Sequence, residues 1–169
     1  GFPIIKDLVV ERSSFDRVMR GLNLMKRHGV EFNTLTCVHR ANERKPLDVY
    51  RFLKEIGSRH MQFIPIVERM ADAPETLSLV QPDYEGDARI SQWSVRPLAY
   101  GKFLTAIFDE WVRKDVGRYF VQIFDVSLQG WLGMEPGLCV FAETCGNALV
   151  VEHNGDLYSC DHYVYPDFK

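Results

Sequence analysis

The stretch VEFNTLTCVHRANERKPLDVYRFLKEIGSRHMQFIPIVE, residues 30–68, has the pattern of a strand, a helix and a second strand. Residues 30–38 and 61–68 are rich in β-branched and other apolar side chains, which is typical of strands. Between them, Pro46 suits the first turn of a helix and Gly57 suits its end. The apolar face of this helix consists of Leu47, Tyr50, Leu53 and Ile56. The stretch therefore predicts a βαβ unit with parallel strands covered by helices.

The flanking sequence continues this alternation. The further predicted elements are a helix capped at Ser13 or Ser14 and stopped by Gly29, a long loop at 69–93, a helix from Pro97 to near Gly117, a strand at 119–126 and a short helix at 127–133. The predicted fold class is α/β, in a layered or a barrel arrangement, and the βα repeats would make up about half of a six-stranded or eight-stranded barrel. Half a barrel leaves strand edges open, and the sequence has no initiator Met, so we expect a segment of a longer protein.

Composition excludes several classes of function. The chain has 169 residues, of which 46% are hydrophobic and 25% charged, with a net charge of −3. Because this balance is slightly acidic, we expect no nucleic-acid partner. The longest apolar run falls short of the roughly 18 residues that span a bilayer, and no secretory signal is recognisable, so we expect no membrane partner and a cytoplasmic location.

Three of the four cysteines lie close together in the sequence. Cys139, Cys145 and Cys160 have the spacing C-x5-C-x14-C, and a hairpin is predicted between the last two. The hairpin has strands at 148–152 and 157–160, joined by an Asn-Gly-Asp turn. In a reducing compartment such clusters are more often metal ligands than disulfides, and thiolates select zinc or iron–sulfur clusters. A disulfide or a chance group of buried thiols remains an alternative.

The remaining candidate ligands are weighed against this group. Cys37 lies within a predicted strand and is interpreted as a core residue. His162 could complete a zinc site with the three cysteines. His153 stands next to the turn, at the far end of the hairpin, which speaks against it. Zinc therefore stays open at this point.

The pattern C-x9-G-x4-C, formed by Cys145, Gly155 and Cys160, resembles the start of a SPASM domain, the extension of radical S-adenosylmethionine enzymes that binds auxiliary [4Fe–4S] clusters. Four stretches are similar to the anaerobic sulfatase-maturating enzymes: FDRVMRGLNLMKRHGVEFNTLTCV, EIGSRHMQFIPIVER, FLTAIFDEWVRKDVGRYFVQIFDV and ALVVEHNGDLYSCDHYVYP. The resemblance implies the second half of a partial (β/α)6 barrel at 1–133, followed at 134–169 by the first SPASM hairpin.

The resemblance also implies an activity. These enzymes use S-adenosylmethionine, [4Fe–4S] clusters and an electron donor protein to oxidise a Cys or Ser of a sulfatase polypeptide to Cα-formylglycine. Mapped residue by residue, Cys139, Cys145 and Cys160 match ligands of the first auxiliary cluster. Asp161 matches the base that takes a proton from the target side chain. The family's CxxxCxxC motif is absent from this chain, so we expect the 169 residues alone to be inactive.

Cofactor-binding candidates in the barrel are less specific. Ligands of such barrels lie at the carboxyl ends of strands, and the candidates by that criterion are Asn33, Gln62, Pro65, Glu68 and Asp125. Asn33 and Gln62 lie in strands that match those forming the cofactor pocket of the family. Each could equally be an interior polar residue with a local hydrogen bond. Two rival functions remain: a SPASM enzyme acting on another peptide, and a non-enzymatic zinc-binding α/β protein.

Overall fold

The computed structural model describes residues 14–71, 80, 84–144, 148–165 and 168–169. Its helices are α1 (Phe15–Arg27), α2 (Pro46–Glu55), α3 (Pro97–Lys114) and α4 (Gln122–Trp131), with short 3-10 turns at Cys139–Phe141 and Asp161–Tyr163. Its strands are β1 (Asn33–Val38), β2 (His60–Pro65), β3 (Arg69–Ala71), β4 (Ala88–Ile90), β5 (Phe120–Val121), β6 (Val150–Val151) and β7 (Leu157–Tyr158). The chain divides into two units, Gly1–Asn33 and Thr34–Lys169.

Strands β1, β2 and β5 form one sheet, in the order β1-β2-β5. β2 and β5 are parallel, with His60 opposite Phe120 and Met61 opposite Val121. The prediction of parallel strands is confirmed for this pair. A mixed α/β architecture follows, as the alternation of elements predicted.

One face of this sheet is covered by helices. The side chains of the core are Val38, Tyr50, Leu53, Met61, Phe63, Val95, Phe103, Ile107, Trp111, Val121 and Phe124. Phe63 of β2 meets Phe103 of α3 edge to face, with ring centroids 5.5 Å apart. Both rings are almost completely buried. Because Pro46 and Pro97 each begin a helix directly, α2 and α3 start where the sequence predicted them.

The other face of the sheet is open within the residues that the structure describes. Alternation along β1 turns Leu35 and Cys37 to this face, and Leu35 is 63% exposed. His60 of β2 stacks on Phe120 of β5 there, with centroids 4.9 Å apart. The prediction that Cys37 packs in the core is therefore wrong: its thiol is exposed, because its neighbour Val38 takes the inward position of the strand.

Charged side chains join α2 to the end of α3. Lys54 Nζ lies 2.7 Å from Asp115 Oδ2 and 3.0 Å from Glu110 Oε1. The hydroxyl of buried Tyr50 donates to the same Asp115 oxygen at 2.8 Å, and Arg51 Nη2 lies 2.6 Å from Glu110. These contacts satisfy polar groups that helix packing has removed from water, as buried groups require.

This network predicts a loss of stability in acid. Hydrogen bonds from Arg51, assisted by Lys54, lower the pKa of Glu110 from 4.5 to about 2. Because the pKa in the folded state is the lower one, the stabilising contribution is complete above pH 4.5 and disappears as the pH falls through about 2. Over that interval the Tm of the unsubstituted protein should fall more steeply than that of Glu110→Gln, which does not titrate. Equal slopes in the two proteins would contradict the assignment.

The strand predicted at 119–126 is mostly helix. Only Phe120 and Val121 pair with β2, and α4 begins at the next residue. A short apolar run fits a buried strand and a buried helix equally well by periodicity. Here the rings of Phe108 and Trp111 on α3 decide, since they contact Phe124 with centroids 5.2 and 5.3 Å away. The short helix predicted at 127–133 is the continuation of α4.

The long loop predicted at 69–93 contains a hairpin. β3 and β4 pair antiparallel, with Arg69 opposite Ile90 and Ala71 opposite Ala88. Each strand has only three residues, too few for an alternating pattern to be recognised in the sequence. Residues 72–79 and 81–83 of this stretch lie outside the described residues.

The N-terminal helix also differs from its prediction in one detail. α1 begins after Ser14, but the Ser14 side chain makes no capping hydrogen bond. Ser13 lies outside the described residues. No helix in the described part of the chain has both the length and the apolar character needed to cross a bilayer.

Candidate functional site

The predicted hairpin is present near the C-terminus of the chain. β6 and β7 pair antiparallel, with Val150 opposite Tyr158 and Val151 opposite Leu157. The turn closes through a bond from the Gly155 amide to the Glu152 carbonyl at 2.9 Å. Gly155 has φ +87°, a conformation that side-chain-bearing residues rarely adopt, which explains the glycine at this position. The prediction of a hairpin around the Asn-Gly pair is confirmed.

The strand β7 leads directly into a group of three neighbouring polar residues. Cys160 has extended dihedrals and precedes the 3-10 turn Asp161–Tyr163. Its sulfur lies 3.4 Å from Asp161 Oδ1 and 3.6 Å from His162 Nδ1. His162 Nδ1 lies 2.9 Å from the same Asp161 oxygen. The extended residue Cys160 and the turn that follows it therefore bring three potential ligand atoms within 4.8 Å of one another.

The electrostatics of this group favour an ionised carboxylate. The hydrogen bond from the Cys160 thiol is the largest cause that lowers the pKa of Asp161 below its usual value, and His162 adds to it. Both side chains are open to water, with 69% of Asp161 and 68% of His162 exposed. An exposed, ionised carboxylate can accept a proton from a molecule that approaches from solution.

The other predicted ligands lie on the preceding segment. Cys139 begins a 3-10 turn and is a half-buried free thiol. The segment before it is tied to α4 by a bond from the Gly137 amide to Gln129 Oε1 at 3.1 Å. Cys145 lies outside the described residues. Cys139 is not part of the group formed by Cys160 and its neighbours in the described residues.

The residues present fit an iron–sulfur cluster by the chemistry of their donors. Cys139 and Cys160 are free thiols, and thiolates are the usual ligands of iron–sulfur clusters and one class of zinc ligand. The His162 amide donates to the Cys160 sulfur at 3.4 Å. Such a bond stabilises a thiolate ligand and orients it.

His153 and His162 differ as the hairpin geometry predicted. His153 lies beside the turn, and its exposed ring contacts Glu152 with Nδ1 and Oε2 3.6 Å apart. His162 lies beside Cys160. The sequence analysis does not predict the contact of His162 with Asp161, although Cys160, Asp161 and His162 are consecutive residues.

The sheet candidates have different positions from those expected of carboxyl strand ends. Asn33 is the exposed first residue of β1, at the opposite end of the strand. Gln62 is a half-buried residue in the middle of β2, and alternation turns it to the open face with His60 and Ile64. Their role as cofactor ligands remains a prediction.

Pro65, Glu68 and Asp125 also have defined surroundings. Pro65 ends β2, and the Glu68 carboxylate beyond it accepts a hydrogen bond from the Trp93 indole. Asp125 lies on α4, so it is not at the carboxyl end of a strand as predicted. Burial raises the pKa of Asp125, although His60 opposes that rise.

Backbone bonds organise the carboxyl edge of the sheet. The Ile66 amide donates to the Val38 carbonyl at 2.9 Å, and the Val95 amide donates to Ile66 at 2.9 Å. Beside them, the buried carboxylate of Glu43 accepts from the backbone and the guanidinium of Arg96, and this pairing lowers the pKa of Glu43. The connections after β1 and β2 are therefore held against the segment that leads into α3.

Comparison with known proteins identifies related sequences. No family model matches the chain. The chain is 47% identical over 158 residues to the serine-type anaerobic sulfatase-maturating enzyme of Bacteroides thetaiotaomicron, covering 94% of this chain and 38% of that protein. It is 30% identical over 161 residues to the cysteine-type enzyme of Clostridium novyi, covering 94% of this chain and 39% of that protein. The chain thus spans well under half the length of these relatives.

Solved structures are also similar to this chain. A structure described as histidine-tagged anSMEcpe with bound AdoMet has a TM-score of 0.70 and 30% identity, and the match covers 91% of this chain and 37% of that one. A second structure, native anSMEcpe with bound AdoMet and the Cp18Cys peptide, has a TM-score of 0.67 and 28% identity, covering 93% and 40%.

Proposed function

Because this chain is homologous to a segment of the anaerobic sulfatase-maturating enzymes, we propose that it is part of a radical S-adenosylmethionine enzyme that oxidises a Cys or Ser of a sulfatase to Cα-formylglycine. The observation that carries the proposal is the 47% identity to a serine-type enzyme, which extends over 94% of this chain. Relatives of both substrate types match the chain, serine-type enzymes at 47% and 29% identity and a cysteine-type enzyme at 30%, so the proposal includes both target residues.

The proposal includes a division of the chain into two parts. Residues 1–133 form the second half of a partial (β/α)6 barrel, and residues 134–169 begin a SPASM domain. Support comes from the sheet, whose parallel strands β2 and β5 have helices on one face and, among the described residues, an open face on the other. An inner barrel face has this character until the remaining strands close it.

Two cofactors belong to the proposal. Cys139, Cys145 and Cys160 supply ligands to a first auxiliary [4Fe–4S] cluster, and Gln62, on the open face of the sheet, contributes to holding S-adenosylmethionine. When bound, S-adenosylmethionine would supply hydrogen-atom abstraction at Cβ of the target residue, and the clusters would supply an acceptor for the electron. The residues of this chain bind these groups and accept the proton that leaves the target side chain.

Asp161 is the proposed proton acceptor. Oxidation of the target side chain removes one hydrogen atom from Cβ, one electron, and one proton from the hydroxyl or thiol. A Ser target gives the aldehyde directly, whereas a Cys target gives a thioaldehyde that water hydrolyses to the aldehyde with release of hydrogen sulfide. The proton from the hydroxyl or thiol goes to the Asp161 carboxylate, which is exposed and whose Oδ1 lies 2.9 Å from His162 Nδ1. A carboxylate next to a cluster ligand lies close to the electron acceptor, and positioning is the first requirement of a general base.

The proposed partners follow from this chemistry. The substrate is a sulfatase polypeptide, a proposal supported by a related structure that contains a bound peptide as well as AdoMet. An electron donor protein is needed to begin each reductive cleavage. We place the enzyme in the cytoplasm, where the free thiols of Cys37, Cys139 and Cys160 remain reduced.

The test is an anaerobic assay of the complete polypeptide that contains this chain. The purified protein is incubated with S-adenosylmethionine, a reductant and a sulfatase peptide that carries either Ser or Cys at the target position. Mass spectrometry and hydrazide labelling should detect an aldehyde in at least one of the peptides. A peptide with Ala at the target position is the control. Cleavage of S-adenosylmethionine without an aldehyde from either peptide would exclude sulfatase maturation and favour another peptide substrate.

The zinc-binding alternative is favoured by one observation only. Cys160, Asp161 and His162 present sulfur, oxygen and nitrogen atoms within 4.8 Å of one another, a donor set that zinc accepts. Metal analysis after anaerobic purification separates the two proposals. Iron with acid-labile sulfide supports the enzyme, and stoichiometric zinc without sulfide supports the alternative.

A further inference from the structure

His162 contacts both functional groups that precede it in the sequence. Its backbone amide points to the Cys160 sulfur at 3.4 Å, and its ring Nδ1 lies 2.9 Å from Asp161 Oδ1. The same ring nitrogen is 3.6 Å from the Cys160 sulfur. One residue therefore contacts the proposed cluster ligand through its backbone and the proposed base through its side chain.

We propose that His162 is a positioning residue, whose imidazole holds the Asp161 carboxylate at a fixed place beside the Cys160 sulfur. This inference rests on the proposed function, since it assigns to His162 a part in the proton transfer to Asp161. His162 itself neither touches the target side chain nor takes its proton.

The need for such a residue follows from the hydrogen-bond donor that Asp161 loses when Cys160 binds a metal. The Cys160 thiol donates to Asp161 Oδ1 at 3.4 Å, but a cysteine that ligates a metal has lost its proton. A sulfur without its proton cannot donate to the carboxylate, so Asp161 Oδ1 loses that hydrogen bond. An N–H donor at Nδ1 is placed to compensate, since it lies within reach of both the oxygen and the sulfur.

The exposure of the Asp161 side chain also favours a positioning role for His162. The Asp161 side chain is 69% exposed, so packing does little to select its rotamer. Among the described residues, the side chains that hydrogen-bond to its carboxylate are Cys160 and His162. With the thiol proton lost, the imidazole becomes the side chain that fixes the distance between base and sulfur.

The test compares single and double variants in the complete holoenzyme. His162→Ala should lower kcat for aldehyde formation by about tenfold to a hundredfold, the range expected for a hydrogen bond to a charged group, with KM little changed. His162→Asn should recover part of the loss, because the Asn amide nitrogen can occupy the place of Nδ1. Since His162 acts through Asp161, the double variant Asp161→Asn/His162→Ala should be no slower than Asp161→Asn alone.

Two measurements separate positioning from damage to the site. Iron and acid-labile sulfide per polypeptide should be unchanged in His162→Ala, because the bond from residue 162 to the Cys160 sulfur comes from the backbone. With a Cβ-deuterated peptide, transfer of deuterium to 5′-deoxyadenosine should continue while aldehyde formed per 5′-deoxyadenosine falls. His153→Ala is the matched control, because its exposed ring lies at the other end of the hairpin, and it should keep the unsubstituted kcat.

The outcomes are distinguishable. Unchanged kcat in His162→Ala, or losses that multiply in the double variant, would overturn the inference while leaving the proposed function intact. Loss of iron in both His162→Ala and His162→Asn would show a structural role and overturn it as well. Full activity of Asp161→Asn would instead refute the assignment of the base, on which the inference depends.

Discussion

Replacing Asp161 by Asn in the complete enzyme is expected to lower kcat for formylglycine formation by about 10²–10⁴-fold, the usual contribution of general acid–base catalysis. The Asn side chain keeps the shape of the carboxylate and its place beside Cys160 and His162, but it cannot take up the proton of the target residue. Steady-state kinetics with a sulfatase peptide, followed by mass spectrometry of the aldehyde, measures the effect. The iron content of the variant should equal that of the unsubstituted protein.

A matched substitution tests whether the effect belongs to the site. Asp109 is an exposed carboxylate on α3 that forms a 3.9 Å ion pair with Arg113 on its own helix. Exposed pairs of this kind contribute little to stability. Asp109→Asn should therefore keep the unsubstituted kcat. Comparable rates in Asp109→Asn and Asp161→Asn would show that Asp161 is not the base.

Replacing Cys160 by Ala should remove the first auxiliary cluster. The substitution deletes one thiolate of the proposed set and leaves a methyl group that cannot bind iron. Iron and acid-labile sulfide per polypeptide should fall by the content of one cluster, and aldehyde formation should become undetectable. Absorption spectra and chemical analysis of anaerobically purified protein measure the first effect, and the peptide assay measures the second.

Cys37 supplies the control for the loss of iron. It is a free and exposed thiol on the open face of the sheet, and it is not among the proposed ligands. Cys37→Ala should retain the full complement of iron and sulfide. If iron and activity both survive in Cys160→Ala, the assignment of Cys160 as a cluster ligand is wrong.

Local chemistry accounts for the elements that the sequence predicted well. Pro46 and Pro97 each occupy the first position of a helix, where proline's missing amide and fixed φ cost nothing. The Asn-Gly pair at 154–155 specifies a tight turn, and β6 and β7 pair around it. In each case the deciding interactions lie within a few residues of one another, so a short stretch of sequence contains them.

Two predictions failed where distant residues decide. The run at 119–126 is apolar enough for a strand, but α3 presents Phe108 and Trp111 to Phe124 and stabilises a helix instead. Cys37 has the apolar neighbours of a core residue, yet alternation along β1 gives Val38 the inward position. A short apolar run does not specify which element it will pack against, or which face of a sheet the helices will cover.

The candidate site divides in the same way. The spacing of Cys139, Cys145 and Cys160 is a property of the chain and predicts thiolate ligands, whereas the role of Asp161 as a base is a prediction from the family resemblance. The meeting of Asp161 Oδ1 and His162 Nδ1 at 2.9 Å required the 3-10 turn that follows the extended Cys160. Covalent order determines which groups are neighbours, whereas backbone dihedrals and packing determine which of their atoms come within hydrogen-bonding distance.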